Sequence, residues 1–344
     1  MLVLPATNRW VRCAALLVAC VALFFASKVP ARAVDAQRIV TVGDVHGDYE
    51  AYIDILTQAG LIDNRLRWSG GDTIFVQIGD VPDRGPQTRK ILDHLMRLER
   101  QAKRAGGQVI PLIGNHEAMN IIGDLRYVTP EEYEEFRTSR SKSTRDQFFS
   151  ANKTSYSAAR REEDATLTDG EIRRMFNDEF PLGYVEHRRA WHPEGEYGRW
   201  VVANDSVRII GDTLFVHAGI NAELLPTSVD ALNEEVRRAL MERSDEDIVS
   251  GSISPLWYRG NVKQTPESLA EVDKVLAAFG VSRIIVGHTP NRSGILSIHD
   301  GKVIIVDTGI SAYYKGTRSY LVIEGQDLTA FDNGVERSIS QGGE

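Results

Sequence analysis

Arg38-Ile39-Val40-Thr41-Val42-Gly43-Asp44-Val45-His46-Gly47 reads as a buried β-strand that breaks into a turn at its carboxyl end. Ile39, Val40, Thr41 and Val42 are β-branched, which suits a pleated and packed segment, and Gly43 ends the run. Working outward, a helical pattern covers Tyr49 to Ala59 and a second apolar run covers Thr73 to Ile78. A second helical pattern runs from Thr88 to Arg104, and Gln108 to Ile113 makes a third strand. The order β-α-β-α-β predicts parallel strands joined by right-handed crossovers, and so an α/β fold.

Each of these strands is followed at once by polar, glycine-flanked residues. The first leads into Gly43-Asp44-Val45-His46-Gly47. The second leads into Gly79-Asp80-Val81-Pro82-Asp83-Arg84-Gly85, and the third into Gly114-Asn115-His116-Glu117. Later runs end in His217-Ala218-Gly219 and Gly287-His288-Thr289. In α/β sheets ligands bind at the carboxyl ends of the strands, where loops and helix N-termini converge. Asp44 and His46 stand two apart, so an extended turn can aim both at one ion. Asp80 offers a carboxylate able to bridge two ions, and Asn115, His217 and His288 offer neutral ligands. A mixed oxygen and imidazole shell suits Mn, Fe, Zn or Co better than calcium. One Gly-Asp turn alone is usually only a turn; five such motifs in register predict a binuclear metal site.

The rest of the chain changes character. From Thr129 to Asp178 charge is dense, and residues 118–200 read as a charged, mostly helical insertion that either caps the site or is simply solvated. Hairpins are expected where Gly and Asp join alternating runs, at Val207–Ile210 with Thr213–His217, Ile295–His299 with Val303–Val306, and Tyr320–Ile323 with Leu328–Phe331. Helices are expected at Val229–Glu242 and Pro266–Phe279. Tyr127, Tyr133, Tyr156, Trp191 and Trp200 read as packing residues.

Composition narrows the function classes. Of 344 residues, 40 are basic and 48 acidic, a net charge of −8, and 42% are hydrophobic. This excludes wholesale disorder and a polytopic membrane protein, and it argues against nucleic acid as a partner, since binding by bulk attraction needs a positive field. Arg9 and Arg12, an apolar run from Cys13 to Ala26, and Ala31-Arg32-Ala33 together read as a secretory signal peptide over residues 1–33. The run is short for a membrane span, so no stable membrane association is expected after cleavage, and a periplasmic or secreted location is. Removing the leader takes four basic residues and no acid, leaving 36 basic and 48 acidic residues at a net charge of −12. Both cysteines leave with it, and residues 34–344 read as one catalytic domain.

GDVHG, GDVPDRG, GNHE, HAG and GHT together resemble the signature of the calcineurin-like metallophosphoesterases and, within them, the phosphoprotein phosphatases. The long spacing between GNHE and HAG, with Pro255-Leu256-Trp257-Tyr258-Arg259-Gly260 beyond, looks most like the Shewanella-like protein phosphatases. The resemblance spans about residues 38–323 outside the charged middle. It implies a four-layer α/β/β/α sandwich with two mixed sheets and a helical insertion. It also implies two divalent metal ions, manganese foremost with Fe, Zn or Co as alternatives. One metal would be held by Asp44, His46 and Asp80, and the other by Asp80, Asn115, His217 and His288. Arg84 and Arg259 match the family's phosphate-clamping arginines, with Asn115 also facing the phosphate. Pro290 stands where much of the wider superfamily has another histidine, as in the protein-phosphatase branch.

The chemistry expected is attack of a metal-bridging hydroxide on a phosphomonoester, with charge taken up by the metals and arginines. His116 is the candidate general acid, and Asp83 holds its imidazole. The expected substrate is a phosphoprotein carrying Ser/Thr or Tyr phosphate. A small-molecule phosphate or a bis-nucleoside polyphosphate is the alternative, and a non-catalytic module on a decayed enzyme is a third reading. Symmetrical diadenosine tetraphosphatases usually have Ala at the position of Asp83 and Asp at that of Glu117, so both residues favour the phosphoprotein branch.

Overall fold

A computed structural model describes residues 37–225 and 227–339; the expected leader and both cysteines lie outside the described residues. The chain starts as Ile39–Val42 (β1), Tyr49–Gln58 (α1), Ile74–Gln77 (β2), Thr88–Ala105 (α2) and Gln108–Pro111 (β3). β1, β2 and β3 pair in parallel, with Ile39 against Ile74 and Ile74 against Gln108. Local chemistry sets the helix ends. Asp48 accepts the Ala51 N–H to cap α1, and α2 stops at Gly106, whose φ of 86° is left-handed.

Asn115–Ile122 (α3) then opens a run that is helical throughout, with Pro130–Glu135 (α4), Ser141–Glu163 (α5), Asp169–Glu179 (α6), Tyr184–Ala190 (α7) and Glu196–Val202 (α8). Strands return as Val207–Ile210 (β4) and Thr213–Val216 (β5). Val229–Glu242 (α9), Asp247–Ser250 (α10) and Pro266–Phe279 (α11) follow, then Arg283–Val286 (β6), Leu296–Ile298 (β7) and Val303–Ile305 (β8). Ser319–Glu324 (β9), Asp327–Asp332 (β10) and Val335–Ser338 (β11) close the chain. The last strand was not anticipated; its four residues are exposed and lack an alternating apolar signal.

Two mixed sheets result, ordered β11-β10-β9-β1-β2-β3 and β4-β5-β6-β8-β7. The three expected hairpins are all antiparallel pairs. Strand periodicity explains how the sheets stack, because alternate side chains point to opposite faces. Ile39, Ile74, Val76, Phe215, Ile285, Ile304, Leu321 and Ile323 meet in one cluster drawn from both sheets. Their neighbours Val40, Val42, Phe75, Leu214, Val216, Ile284, Val286, Val303 and Val322 face the other way, into a cluster shared with Ile55, Leu92, Leu95, Val236 and Val272 of the helices. Helix, sheet, sheet and helix therefore form four layers. Among the described residues no helix is long and apolar enough to cross a membrane.

Candidate active site

The site forms where β1, β2, β3, β5 and β6 end. Backbone geometry aims its side chains: His46, Asp80, Asp83, Arg84 and His288 all have positive φ, between 42° and 71°. Such conformations cost of order 1–3 kcal/mol each in a non-glycine residue and persist only where surrounding contacts enforce them. The enforcing contacts are visible. Gln77 donates to the Gly43 and Gly79 carbonyls, tying the first two loops together. Glu117, at the start of α3, accepts the N–H groups of Asp80, Val81 and Gly114. Burial, then the charge of Asp80, pushes the Glu117 carboxyl up to about 7. Gly114 has no substitute here, since a Cβ would fall 2.3 Å from Asp80 Oδ1.

Asp80 lies at the centre with one oxygen directed each way. Its Oδ1 is 3.3 Å from His217 Nε2, and its Oδ2 is 3.8 Å from both His46 Nε2 and His116 Nε2. His217 Nδ1 lies 3.0 Å from the Ile78 carbonyl, so that nitrogen carries a proton and, in the neutral ring, Nε2 presents a lone pair. Facing this lone pair are Asn115 Oδ1 at 3.0 Å and His288 Nδ1 at 3.2 Å. His46 is oriented likewise, with Nδ1 3.0 Å from the Pro82 carbonyl. Acceptors converging on acceptors inside a buried site call for a cation. Two groups, His46-Asp80-His116 and Asp80-His217-His288, have ligand atoms close enough to hold one each. Asp44 flanks the first group, its Oδ2 4.0 Å from His46 Nε2, and both its oxygens accept the His288 N–H.

The electrostatics carry the same message. Burial, then the charges of Asp307 and Asp80, pushes the Asp44 carboxyl well above the carboxylate range. Burial also opposes charge on Asp80, yet His217, His116 and His46 hold it well below that range. Burial, then His217, pushes His288 down to about 2, and its Nε2 is buried without a partner. The donor set is thus short of positive charge and fits divalent metals.

The structure brings together every residue expected at the site. His116 Nδ1 is 2.5 Å from Asp83 Oδ2, and Asn120 Nδ2 donates to both Asp83 Oδ1 and the His116 carbonyl. One placement goes beyond expectation: His116 Nε2, read as a proton donor, points at the same centre as His46. Arg84 and Arg259 line a cavity of about 240 Å³ with Asp44, Asp80, Asn115, His116, Tyr127, Trp257, His288, Pro290 and Tyr314. Arg84 Nη1 lies 2.6 Å from His46 Nε2, a lone pair that serves a guanidinium or a cation but not both. Arg259 donates to the His288 carbonyl at 3.3 Å.

Tyr127 corrects the reading of that residue as packing. Its ring is 5.0 Å from the His116 ring and under the Arg84 guanidinium at 4.9 Å, with Tyr314 at 5.2 Å on the same cation. Tyr314, Gln77 and Asn120 also escaped the sequence reading. Gln77 is an amide inside an apolar strand and Asn120 an amide inside α3, which is the only local signal either one offers.

Comparison with known proteins places this geometry. The sequence model of the calcineurin-like phosphoesterase family matches residues 37–292. Shewanella-like protein phosphatase 2 of Arabidopsis thaliana is 35% identical over 291 residues, 80% of this chain and 72% of that protein. Shewanella-like protein phosphatase 1 of Plasmodium berghei is 26% identical, over 87% of this chain and 75% of its own. The crystal structure of a cold-active protein-tyrosine phosphatase from a psychrophilic Shewanella superposes with a TM-score of 0.66 at 27% identity, covering 88% of this chain and 80% of that one. The chain belongs to the calcineurin-like phosphoesterase family, as its match over most of the fold and its Shewanella-like relatives establish, and it is a metal-dependent phosphatase, a hydrolase of phosphoric esters.

Proposed function

We propose that the protein removes phosphate from phosphorylated serine, threonine or tyrosine of proteins, with manganese as the foremost metal. The observation that carries the reading is the convergence on Asp80 of two donor groups facing Arg84 and Arg259 across one cleft. Asp44, His46 and Asp80 would hold one ion, and Asp80, Asn115, His217 and His288 the other. When bound, such ions supply Lewis acidity and acidify water.

The chain's own residues do the rest. Arg84 and Arg259 hold phosphoryl oxygens and orient the ester, and contacts to charge developing on those oxygens strengthen in the transition state. As the P–O bond to the leaving group breaks, the leaving oxygen takes a proton from His116 Nε2. Asp83 on Nδ1 fixes the ring and its tautomer. Asp83 and Glu117, the two residues that depart from the dinucleotide-hydrolase pattern, both have work here: one holds His116 and the other the Asp80 loop. The relatives' names, protein phosphatases and one protein-tyrosine phosphatase, support the same substrate class. The leader pattern supports export, which N-terminal sequencing of the exported protein tests.

The deciding assay compares phosphotyrosine and phosphothreonine peptides with diadenosine tetraphosphate and simple monoesters on manganese-loaded enzyme. Preference for a phosphopeptide is expected; preference for the dinucleotide overturns the substrate class. His116→Asn is expected to keep its metal by elemental analysis and to lose about 10²–10⁴-fold in turnover of an alkyl phosphate. Full turnover in that variant removes His116 as proton donor.

A further inference from the structure

The helical insertion sends Tyr127 into the catalytic cleft. α3 ends at Gly123, whose φ of 102° is left-handed, and Thr129 caps α4 by accepting the Glu132 N–H. Between them the Val128 N–H donates to the Leu125 carbonyl at 3.1 Å, closing a turn that carries Tyr127. This turn meets the loop after β2 through its backbone: the Tyr127 carbonyl accepts the Arg84 N–H at 3.0 Å. The Tyr127 ring then lies 4.9 Å from the guanidinium carbon of Arg84, and both residues line the cavity of about 240 Å³.

Arg84 has particular need of such support. Its φ is 62° and that of Asp83 before it is 71°, so the side chain starts from a strained backbone. It is also long and rich in rotamers, and a phosphate contact that must first order it loses affinity. The His46 Nε2 contact at 2.6 Å cannot do the ordering in the loaded enzyme, because that lone pair would then serve the metal. An acidic partner would compete with phosphate for the N–H donors. Ring faces order the guanidinium by cation–π attraction and leave those donors for a bidentate contact. Tyr314 at 5.2 Å and the exposed Tyr313 at 5.7 Å contribute to this, and Tyr127 adds its grip on the Arg84 backbone.

We propose that Tyr127 is a positioning residue that holds the Arg84 guanidinium ready for the phosphoryl oxygens of the substrate. The inference rests on the reading of Arg84 as a phosphate-binding residue. The backbone contact survives any substitution at this position, so variants of Tyr127 report on the ring. That ring also faces His116, with centroids 5.0 Å apart. A ring acting through Arg84 serves the phosphoryl group common to all esters. One acting through His116 serves only esters whose leaving oxygen needs a proton.

Metal-loaded Tyr127→Leu, Tyr127→Phe, Arg84→Ala and the double variant Arg84→Ala/Tyr127→Leu are assayed on p-nitrophenyl phosphate and on an alkyl phosphate, with inorganic phosphate as competitive inhibitor. Tyr127→Leu is expected to raise KM and the phosphate inhibition constant about 3–30-fold, the range of a cation–π contact, and equally for both esters. kcat changes less than KM, and metal content stays constant by elemental analysis. Tyr127→Phe, which keeps the ring, restores both constants. Added to Arg84→Ala, Tyr127→Leu has no further effect. If Tyr127→Leu does not fold, Tyr127→Gln is expected to give the same rise. A Tyr127→Leu that binds phosphate normally while Arg84→Ala does not, or full additivity in the double variant, overturns this inference alone. A loss confined to the alkyl ester, or a Tyr127→Phe as impaired as Tyr127→Leu, also overturns it. Normal phosphate inhibition in Arg84→Ala removes the phosphate-binding reading of Arg84 and the inference with it.

Discussion

Asp44, Asp80, Asp83, Asn115, His116 and His217, just beyond the carboxyl ends of the strands, are at most 2% exposed and all have defined polar contacts. In the insertion, the 23-residue helix α5 buries only Ser141 and Ser157, and its charges pair on the surface, as Arg161 does with Asp169 and Arg160 with Glu179. Order in the insertion comes instead from a ring cluster in which Phe148, Phe149, Tyr156 and Phe180 surround Phe176. The loops hold polar groups in strained backbone to do chemistry, and the insertion packs rings to hold itself together. The two meet through a few residues: Tyr127, whose carbonyl accepts the Arg84 N–H, and Arg188, which donates to the Asn120 and Ile121 carbonyls at the end of the helix carrying His116.

The contrast breaks most sharply at Asp80. Asp80→Asn removes charge from both donor groups, and a drop in turnover larger than the about 10²–10⁴-fold expected of His116→Asn should come with lost metal by elemental analysis. Retained metal in that variant would mean that Asp80 does not link the two sites. In the insertion, Phe176→Ala should cost about 3–5 kcal/mol of local stability, read as faster hydrogen exchange in α5, α6 and α7. Metal content should not change; if it does, the two regions are one cooperative unit.

Acid gives a finer test. Burial holds His94 in α2 down to about 4, although its Nε2 lies 2.9 Å from the Leu66 carbonyl. The folded pKa lies below the unfolded value near 6.5, so this contribution is complete above about 6.5 and is lost as pH falls toward 4, by about 3 kcal/mol in all. Burial holds His187 down in the same sense, so both regions should weaken over the acid range. His94→Gln should flatten the acid limb for α1 and α2 while that of the insertion persists, as hydrogen exchange at pH 7 and pH 5 would show. The smallest effect belongs to the surface pairs. Arg161→Ala should leave Tm and turnover unchanged, because exposed ion pairs are screened and entropically costly; a measurable fall in Tm would make the insertion's charges structural.

Sequence alone determined the alternation of strands and helices, the three hairpins, and the identities of Asp44, His46, Asp80, Asn115, His116, His217 and His288. These were legible because strand periodicity is local, and because each motif follows its strand directly with a glycine that permits the turn. It did not reveal β11, whose exposed residues carry no pattern, or Tyr127, Tyr314 and Glu132. An aromatic ring has the same local signature whether it packs in a core or lines a catalytic cleft, and so does a glutamate whether it is solvated or buried. Only the tertiary structure decided among these, because the burial of Glu132 and the stacking of Tyr127 on Arg84 depend on segments some forty residues apart meeting in space.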